Sequence, residues 1–322
     1  MDERVLDWLL DCDPWVQYRM RLDLLGQSEN DEPVRKAKKD TLTHPMIQKL
    51  IADIKDWERE VISNHKKAGA WTHKLSFLAE VGLKADDDAG LKRVIEQIAG
   101  HVTEQGVPQV LVNIPIRFGG SGEDTWGWSL CDAPLVMFSL MKIGDWNYRD
   151  GLKYLMENVR ENGWPCSVSP ELGKFRGPGR KSDPCPYATL LMLKILAQTS
   201  DLKDSEQAHI GTDCLLELWE RSKDTHPYIF YMGTDFRKLK APFVWYDLLH
   251  VTDVLSQFEW VKNDVRFADM VAKITEKRDS DGRYAPESQW LAWKGFEFAQ
   301  KKQPSAWVTF LVMRILRRAA QA

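Results

Sequence analysis

Six segments of the chain are apolar on nearly every side of a helix and recur at near-regular intervals. They are PWVQYRMRLDLLG (14–26), WTHKLSFLAEVG (71–82), DAPLVMFSLMKIG (132–144), PYATLLMLKILAQ (186–198), FVWYDLLHVTDVLS (243–256) and SAWVTFLVMRILRR (305–318). Their last residues lie 54 to 62 positions apart. Because helices that are apolar all round are buried on both sides, the pattern predicts six buried helices, one per repeat.

Amphipathic segments with apolar residues three and four apart alternate with these six, for example GLKRVIEQIAGHVTEQG and DCLLELWERSKD. Such segments are typical of half-exposed helices. The alternation predicts an all-α fold, an (α/α)6 toroid of six helical hairpins with an inner and an outer ring. An open solenoid of the same hairpins is the alternative. We favour the toroid, because ERVLDWLLD near the N-terminus is an outer-type helix that can close the circle. The interpretation is a single domain over 1–322, with the charged stretch 28–40 as a surface excursion.

Composition excludes several function classes. The formal net charge of the 322 residues is −3, which gives no general attraction for nucleic acid. No run of about 18 apolar residues predicts a membrane span. The start MDERVLDWLL lacks the layout of a signal peptide, so we expect a cytoplasmic protein with five free thiols. Dinucleotide, Walker, GxSxG and HExxH motifs are absent from the sequence.

In a toroid all inner helices run in the same direction, so their N-termini gather at one end, which we call the mouth. Cys131 and Cys185 stand directly before two neighbouring inner helices at the same offset, and Cys166 follows an outer helix in GWPC. Since a helix N-terminus favours thiolate, these three cysteines are candidate ligands of a zinc ion with an open fourth position. Asp132 or His250 can complete the set. The alternative is that each cysteine is a small buried residue.

The loop GKFRGPGRK (173–181) brings four cations to the same mouth and suits a phosphate or diphosphate group. Aromatic residues in neighbouring segments predict an apolar pocket. The candidate substrate-binding residues are Trp126, Trp128, Trp164, Lys174, Arg176, Arg180, Lys181, Tyr187, Trp245 and Tyr246. Each can instead be a packing or solvated residue. Asp132 and His250 are the candidate catalytic groups, as general acid, base or ligand.

The cysteine before the third inner helix and NGWPC…GKFRGPGRKSDPCPYATL resemble the squalene cyclase and protein prenyltransferase superfamily, and in particular bacterial prenyltransferase/squalene-oxidase repeat proteins. The resemblance implies a toroid with a central apolar cavity. In the prenyltransferases an Asp and a Cys at one inner helix and a later His hold zinc, and Cys131 matches the cysteine. The segment GRKS (179–182) is similar to their diphosphate-contacting loop. No histidine follows KSDPCPY, and Cys185 or Tyr187 stands in that region. The cyclase motif DxDD is absent.

The leading hypothesis is a terpenoid cyclase- or prenyltransferase-like protein that acts on an apolar or diphosphate-bearing small molecule, with zinc as its expected cofactor. A carbohydrate-active (α/α)6 enzyme is an alternative, which predicts paired carboxylates among Asp132, Asp247 and Asp253. A non-catalytic scaffold that binds a ligand or a partner at the mouth is the third.

Overall fold

The computed structural model describes residues 3–144, 146–175, 177, 179–227 and 229–321, and within them the fold is helical. Six helices form the inner set: α2 (Pro14–Asp23), α5 (Trp71–Val81), α7 (Ala133–Ile143), α9 (Pro186–Leu196), α11 (Leu248–Leu255) and α13 (Ala306–Ala319). The outer helices are α1 (Glu3–Leu10), α3 (Glu32–Thr43), α4 (Pro45–Asp53), α6 (Ala89–Gly100), α8 (Arg149–Met156), α10 (Glu206–Glu220) and α12 (Val265–Thr275). The only sheet in the described residues pairs β1 (Val110–Asn113) with β2 (Asp124–Gly127), antiparallel.

The inner helices contact one another in order, and the circle closes because α13 also contacts α2. Every residue of α9 is buried, as the all-round apolar pattern of its sequence requires. The predicted all-α toroid is therefore confirmed. Among the described residues every helix is too short or too polar to span a bilayer.

The charged segment of the first repeat is helical. The charged stretch 28–40 contributes most of α3, whose Val34, Ala37 and Thr41 are buried on one face. Val34 and Ala37 pack with Tyr18 of α2 in a small satellite core. The spacing of these three residues is helical, and lysines and acids cover the other face, so the surface segment carries a half-exposed helix.

The middle of the ring contains ion pairs, which border a cavity of about 60 Å³. Lys194 of α9 pairs with Glu80 of α5, and Arg314 of α13 pairs with Asp253 of α11 at 2.8 Å. Arg314 also approaches Glu80, at 3.6 Å. Because buried charges require partners, each inward-facing charge of this group is matched by one from another inner helix.

Candidate functional site

Three cysteines from two neighbouring repeats converge at the mouth. The Sγ atoms of Cys131, Cys166 and Cys185 all lie within 4.8 Å of one another, and those of Cys131 and Cys185 are 3.9 Å apart. Cys131 and Cys185 are buried, and none of the three is in a disulfide. The equivalent offsets before α7 and α9 are what bring two of them together.

Backbone hydrogen bonds fix the three segments that carry the thiols. The Cys185 N–H donates to the carbonyl of Trp164 at 2.7 Å, which ties the start of α9 to the segment that contains Cys166. On the other side the Leu130 N–H donates to the carbonyl of Ser167 at 3.0 Å. The backbone segments that carry the cysteines are thus hydrogen-bonded to one another. These backbone hydrogen bonds fix the positions of the three thiols.

The cluster favours a thiolate at Cys185. Its Sγ has the thiols of Cys131, 3.9 Å away, and of Cys166 as neighbours, and the N–H of Ala188 in the first turn of α9 donates to it at 3.5 Å. Together they hold the pKa of Cys185 well below its usual range. The pKa of Cys131 is raised, because its thiol is hydrogen-bonded to Cys166 and Cys185 and is buried.

The donor set fits a soft or borderline metal ion. A tetrahedral zinc ion with Zn–S bonds of about 2.3 Å places its sulfur ligands about 3.8 Å apart. The separation of 3.9 Å between Cys131 and Cys185 matches this value. Three sulfur atoms leave one position of a tetrahedron for another group.

A histidine–aspartate pair stands beside the cysteines. Nδ1 of His65 and Oδ1 of Asp132 are 2.9 Å apart, and the other carboxylate oxygen accepts a hydrogen bond from Ser129 at 2.5 Å. Burial raises the pKa of Asp132, but His65 and the Ser129 hydroxyl outweigh it and hold that pKa below its usual range. Burial lowers the pKa of His65, but Asp132 raises it overall. Nε2 of His65 has no hydrogen-bond partner among the described side chains.

A hydrogen bond from His73 holds the segment that carries His65. Nε2 of His73, in the first turn of α5, donates to the carbonyl of His65 at 2.8 Å. Burial lowers the pKa of His73 to about 4, so its ring is neutral and acts here as a donor. His73 is therefore a positioning residue for the histidine–aspartate pair.

Cys131, Cys166, Cys185 and His65 form part of the wall of a cavity of about 740 Å³ that opens at the mouth. Its described lining includes five exposed cations, namely Arg117, Arg160, Lys174, Arg180 and Lys181. It has one carboxylate, Asp183, which accepts a hydrogen bond from the Arg180 backbone at 3.0 Å. Its apolar side consists of Phe118, Phe175, Ile229, Phe230 and Trp245.

The 173–181 loop lies directly on the cysteines. A Cβ at Gly177 would stand 2.7 Å from the Sγ of Cys166, so only glycine allows this approach. The N–H of Lys174 donates to the carbonyl of Gly119 at 2.9 Å, which joins this loop to the 115–122 loop. Lys174, Arg180 and Lys181 therefore line the cavity. Arg176 lies outside the described residues.

Most of the predicted aromatic residues lie elsewhere. Trp245 lines the cavity, where its ring stacks on Phe230 with centroids 5.6 Å apart. Trp126 packs against Trp57 and His101, away from the cavity.

The remaining aromatic candidates are buried in packing roles. Trp128 meets Tyr154 edge-on, and the indole of Trp164 donates to a backbone carbonyl at 3.2 Å. The Tyr187 hydroxyl donates to the carbonyl of Val244 at 3.0 Å, and that of Tyr246 approaches a methionine sulfur at 3.8 Å. These four rings form no part of the cavity lining.

His250 does not belong to the cysteine cluster. Its Nδ1 lies 3.0 Å from the carbonyl of Trp245, its Nε2 lies 3.5 Å from Nζ of Lys194, and its ring stacks on Phe243. Burial, followed by the charge of Lys194, lowers its pKa well below the usual range. The histidine that accompanies Asp132 is His65, in the polar stretch SNHKKAG before α5. Its only signal in the sequence is a position shortly before an inner helix, like that of the cysteines.

Comparisons with known proteins assign no family. No protein-family model and no curated protein matches the chain. Among solved structures, a protein from Actinoplanes is 13% identical with a TM-score of 0.44, over 99% of this chain and 98% of that one. The type II terpene cyclase MstE from Scytonema is also 13% identical with a TM-score of 0.45, over 96% and 88%. Neither likeness assigns an activity or a ligand to this chain.

Proposed function

We propose that the protein is a zinc-dependent enzyme that binds a phosphate-bearing substrate with an apolar portion in the mouth cavity. The observation that carries the proposal is the convergence of Cys131, Cys166 and Cys185 in the wall of a cavity surrounded by cations. Neither feature alone distinguishes a site from a structural cluster. Their occurrence in the wall of one cavity supports the proposal, because it combines a soft ligand set with a cationic surface.

Zinc is the ion that best suits three sulfur donors in this setting, since thiolates select borderline and soft ions over magnesium or calcium. Cys131, Cys166 and Cys185 would hold such an ion, which would supply Lewis-acid polarisation to an oxygen of the bound substrate. Binding favours the deprotonated thiols, and the lowered pKa of Cys185 is in the direction that such binding needs.

The substrate class follows from charge and shape. Five cations face one carboxylate in the described lining, so the cavity attracts a group with more than one negative charge. A diphosphate balances this excess of positive charge better than a monoanion does. The rings of Phe118, Phe230 and Trp245 form the apolar side, which suits a hydrocarbon attached to the phosphate.

His65 and Asp132 provide the proton-handling group of the cavity. Asp132 fixes the ring through Nδ1, and Nε2 remains available to hold or accept a proton from a bound ligand. In this assignment Asp132 is a positioning residue that acts through His65, and His250 has no direct part.

The metal is tested by elemental analysis of the purified protein. Cys131→Ala and Cys185→Ala are each expected to lose about one equivalent of zinc. Cys214→Ala is the matched control, because Cys214 is also buried but lies outside the cluster. A metal-free wild-type protein that takes up neither Zn²⁺ nor Co²⁺ would refute the metal centre.

The ligand is tested by thermal stabilisation and calorimetry with an isoprenyl diphosphate, inorganic diphosphate and the isoprenyl alcohol. We expect the order isoprenyl diphosphate, inorganic diphosphate, alcohol, and weaker binding in Lys174→Gln and Lys181→Gln. Lys92→Gln, on the exposed face of α6, is the control. Equal stabilisation by the alcohol and the diphosphate would contradict the assignment of an anionic substrate.

The carbohydrate-active alternative has no supporting carboxylate pair. Asp132 is hydrogen-bonded to His65, and Asp253 forms an ion pair with Arg314. Asp247 caps α11, where it accepts a hydrogen bond from the His250 N–H at 3.0 Å. None of the three aspartates forms part of the described cavity lining. Two free carboxylates across a sugar-binding cleft, which that chemistry needs, are not found among them.

A further inference from the structure

A second cationic cavity lies at the end of the ring opposite the mouth. Its volume is about 60 Å³, and most of its lining residues are in or just after the last turn of an inner helix. The charged residues of its described lining are five cations and two carboxylates, namely Arg19, Lys142, Lys194, Arg314, Arg318, Glu80 and Asp253. Asp23 stands beside this group and pairs with Arg19 at 2.6 Å. With this third carboxylate counted, the group keeps an excess of two positive charges.

Lys142 is the cation of this group that has no ion pair within the described part of the chain. Its Nζ lies 3.4 Å from the side-chain oxygen of Gln198, which is a weak and uncharged contact. Burial, followed by the charges of Arg19 and Lys84, lowers the pKa of Lys142 to about 8, although two carboxylates of the group act in the opposite direction. Because burying a cation without a counter-charge is unfavourable, a negative charge beside Lys142 would stabilise it.

The guanidinium of Arg19 also has an unused donor. Its Nη2 donates to the two carboxylate oxygens of Asp23 at 2.6 and 2.7 Å. Its Nε is buried and has no hydrogen-bond partner among the described residues. A buried donor without an acceptor costs free energy. The cavity is therefore lined by an unpaired ammonium and by a guanidinium with a free N–H, from two different inner helices.

The negative ends of the inner helices are matched by other cations. The Lys84 ammonium donates to the carbonyl of Lys142 at 2.7 Å, and Arg317 donates to the carbonyl of Asp23 at 2.6 Å. Neither Lys84 nor Arg317 belongs to the described lining of the cavity. The excess of positive charge in the cavity is therefore additional to the charge that stabilises these helix ends.

We propose that this cavity, which we call the far-end site, binds one small oxyanion with two negative charges, of the size of inorganic phosphate. One ordered water needs about 10 to 15 Å³, so the volume accommodates the four oxygen atoms of one such anion. A guanidinium offers N–H donors that match these oxygens, and an ammonium adds a point charge. Since Arg19, Lys142 and Arg314 belong to α2, α7 and α13, the anion would join three inner helices, including the two that close the ring.

Isothermal titration calorimetry with inorganic phosphate tests the far-end site. Because the mouth cations also attract phosphate, the titration uses Lys174→Gln/Lys181→Gln as the background and compares it with and without Lys142→Gln. Lys142→Gln should lower the phosphate affinity about tenfold or more, as for the loss of one charge-assisted hydrogen bond. Lys142→Arg keeps the charge and should retain binding, and Lys92→Gln on α6 is the control. Sulfate should compete with phosphate, whereas chloride at the same concentration should not, because a monoanion balances only half of the excess charge.

Thermal unfolding adds a readout that a purely structural lysine would not give. Without phosphate, Lys142→Gln should be at least as stable as its background, because it removes an unpaired buried cation and the repulsion from Arg19. Phosphate should raise the Tm of the background and leave that of Lys142→Gln unchanged. A Lys142→Gln variant that is clearly less stable without phosphate would show that the ammonium is already compensated, against the proposal.

Three results would overturn the far-end site. The first is no binding of millimolar phosphate to wild type, and the second is equal affinity with and without Lys142→Gln. The third is binding that disappears in Lys174→Gln/Lys181→Gln, which would assign the anion to the mouth. The proposal needs neither the metal nor the proposed substrate, so Cys131→Ala should abolish zinc binding and leave phosphate binding at the far end at the wild-type level.

Discussion

Replacing Glu80 with Gln tests whether ion pairs hold the centre of the ring. Glu80 is 9% exposed, and it is the only carboxylate within ion-pair distance of Lys194 among the described residues. Burial raises the pKa of Glu80, but Lys194 and Arg314 outweigh it, so the carboxylate is ionised in the folded protein. Glu80→Gln leaves the ammonium of Lys194 buried at 3% exposure without a counter-charge.

The expected cost is large because only one partner is removed. Breaking a buried ion pair costs about 3 to 5 kcal/mol. The rings of Phe138 and Phe243, at 4.6 and 5.1 Å from Nζ of Lys194, contact the ammonium in the wild type and in the variant alike, so they do not change this difference. We therefore expect a loss of about 3 to 5 kcal/mol. With an unfolding entropy of about 2.1 cal/mol/K per residue over 322 residues, this lowers Tm by about 4 to 7 °C.

The assay is urea unfolding followed by far-UV circular dichroism, together with Glu80→Gln/Lys194→Met. The double variant removes both charges and fills the volume with an apolar side chain, so its stability should return close to wild type or exceed it. Asp40→Asn breaks the exposed pair with Lys36 and should cost under about 1 kcal/mol. If Glu80→Gln unfolds at the wild-type urea concentration, or if the double variant is no more stable than the single one, the account of the ring centre is wrong.

Three further changes test the site and its surroundings. Tyr187→Phe removes a bond to a buried carbonyl and should cost about 1 to 3 kcal/mol in urea unfolding, without changing diphosphate affinity. Gly177→Ala places a Cβ against Cys166 and should weaken zinc about tenfold or more in a chelator competition, whereas Gly100→Ala, with open space around it, should not. Burial raises the pKa of Asp247 to about 7. The protonated carboxyl of Asp247 therefore stabilises the folded protein below the unfolded pKa of about 4, and this stabilisation is lost as the pH rises through 7. The asparagine cannot ionise, so between pH 4 and 8 the free energy of unfolding of Asp247→Asn should fall less than that of wild type.

Each of these has a contrary outcome. If Tyr187→Phe binds diphosphate more weakly than wild type, the Tyr187 hydroxyl contacts the ligand and its assignment as a packing residue is wrong. If Gly177→Ala and wild type compete equally with the chelator, the 173–181 loop does not affect the proposed metal site. An Asp247→Asn variant whose stability changes with pH as wild type does would mean that this carboxyl is ionised in the folded protein.

The fold could be predicted from the sequence because the inner helices carry two independent signals. Each is apolar all round, and each recurs at nearly the same interval. The same regularity placed Cys131 and Cys185 at equivalent positions, so their convergence followed from the topology alone. Side-chain orientation on the helices was not needed for either result.

The rest depended on contacts that no pattern in the sequence carries. His65 lies in an irregular segment, placed by the bridge between Ile62 and Val112 and by the hydrogen bond from His73. An indole ring can line the cavity or pack in the core behind its wall, and the sequence does not distinguish the two. The position of Trp126 was therefore decided by the register of its strand, in which it faces Leu111.

The parallel arrangement of the inner helices gives the ring an electrostatic direction. At the mouth the helix N-termini favour negative charge, and Cys185, Asp247 and Glu297 accept hydrogen bonds there from first-turn N–H groups. At the other end the last carbonyls accept from cations, from Lys84 at α7 and from Arg317 at α2. The fold itself therefore favours negative charge at the mouth, such as that of a thiolate or of a phosphate group. Lys174, Arg180 and Lys181 add to this field, which supports the proposed metal and anion site at this end of the ring.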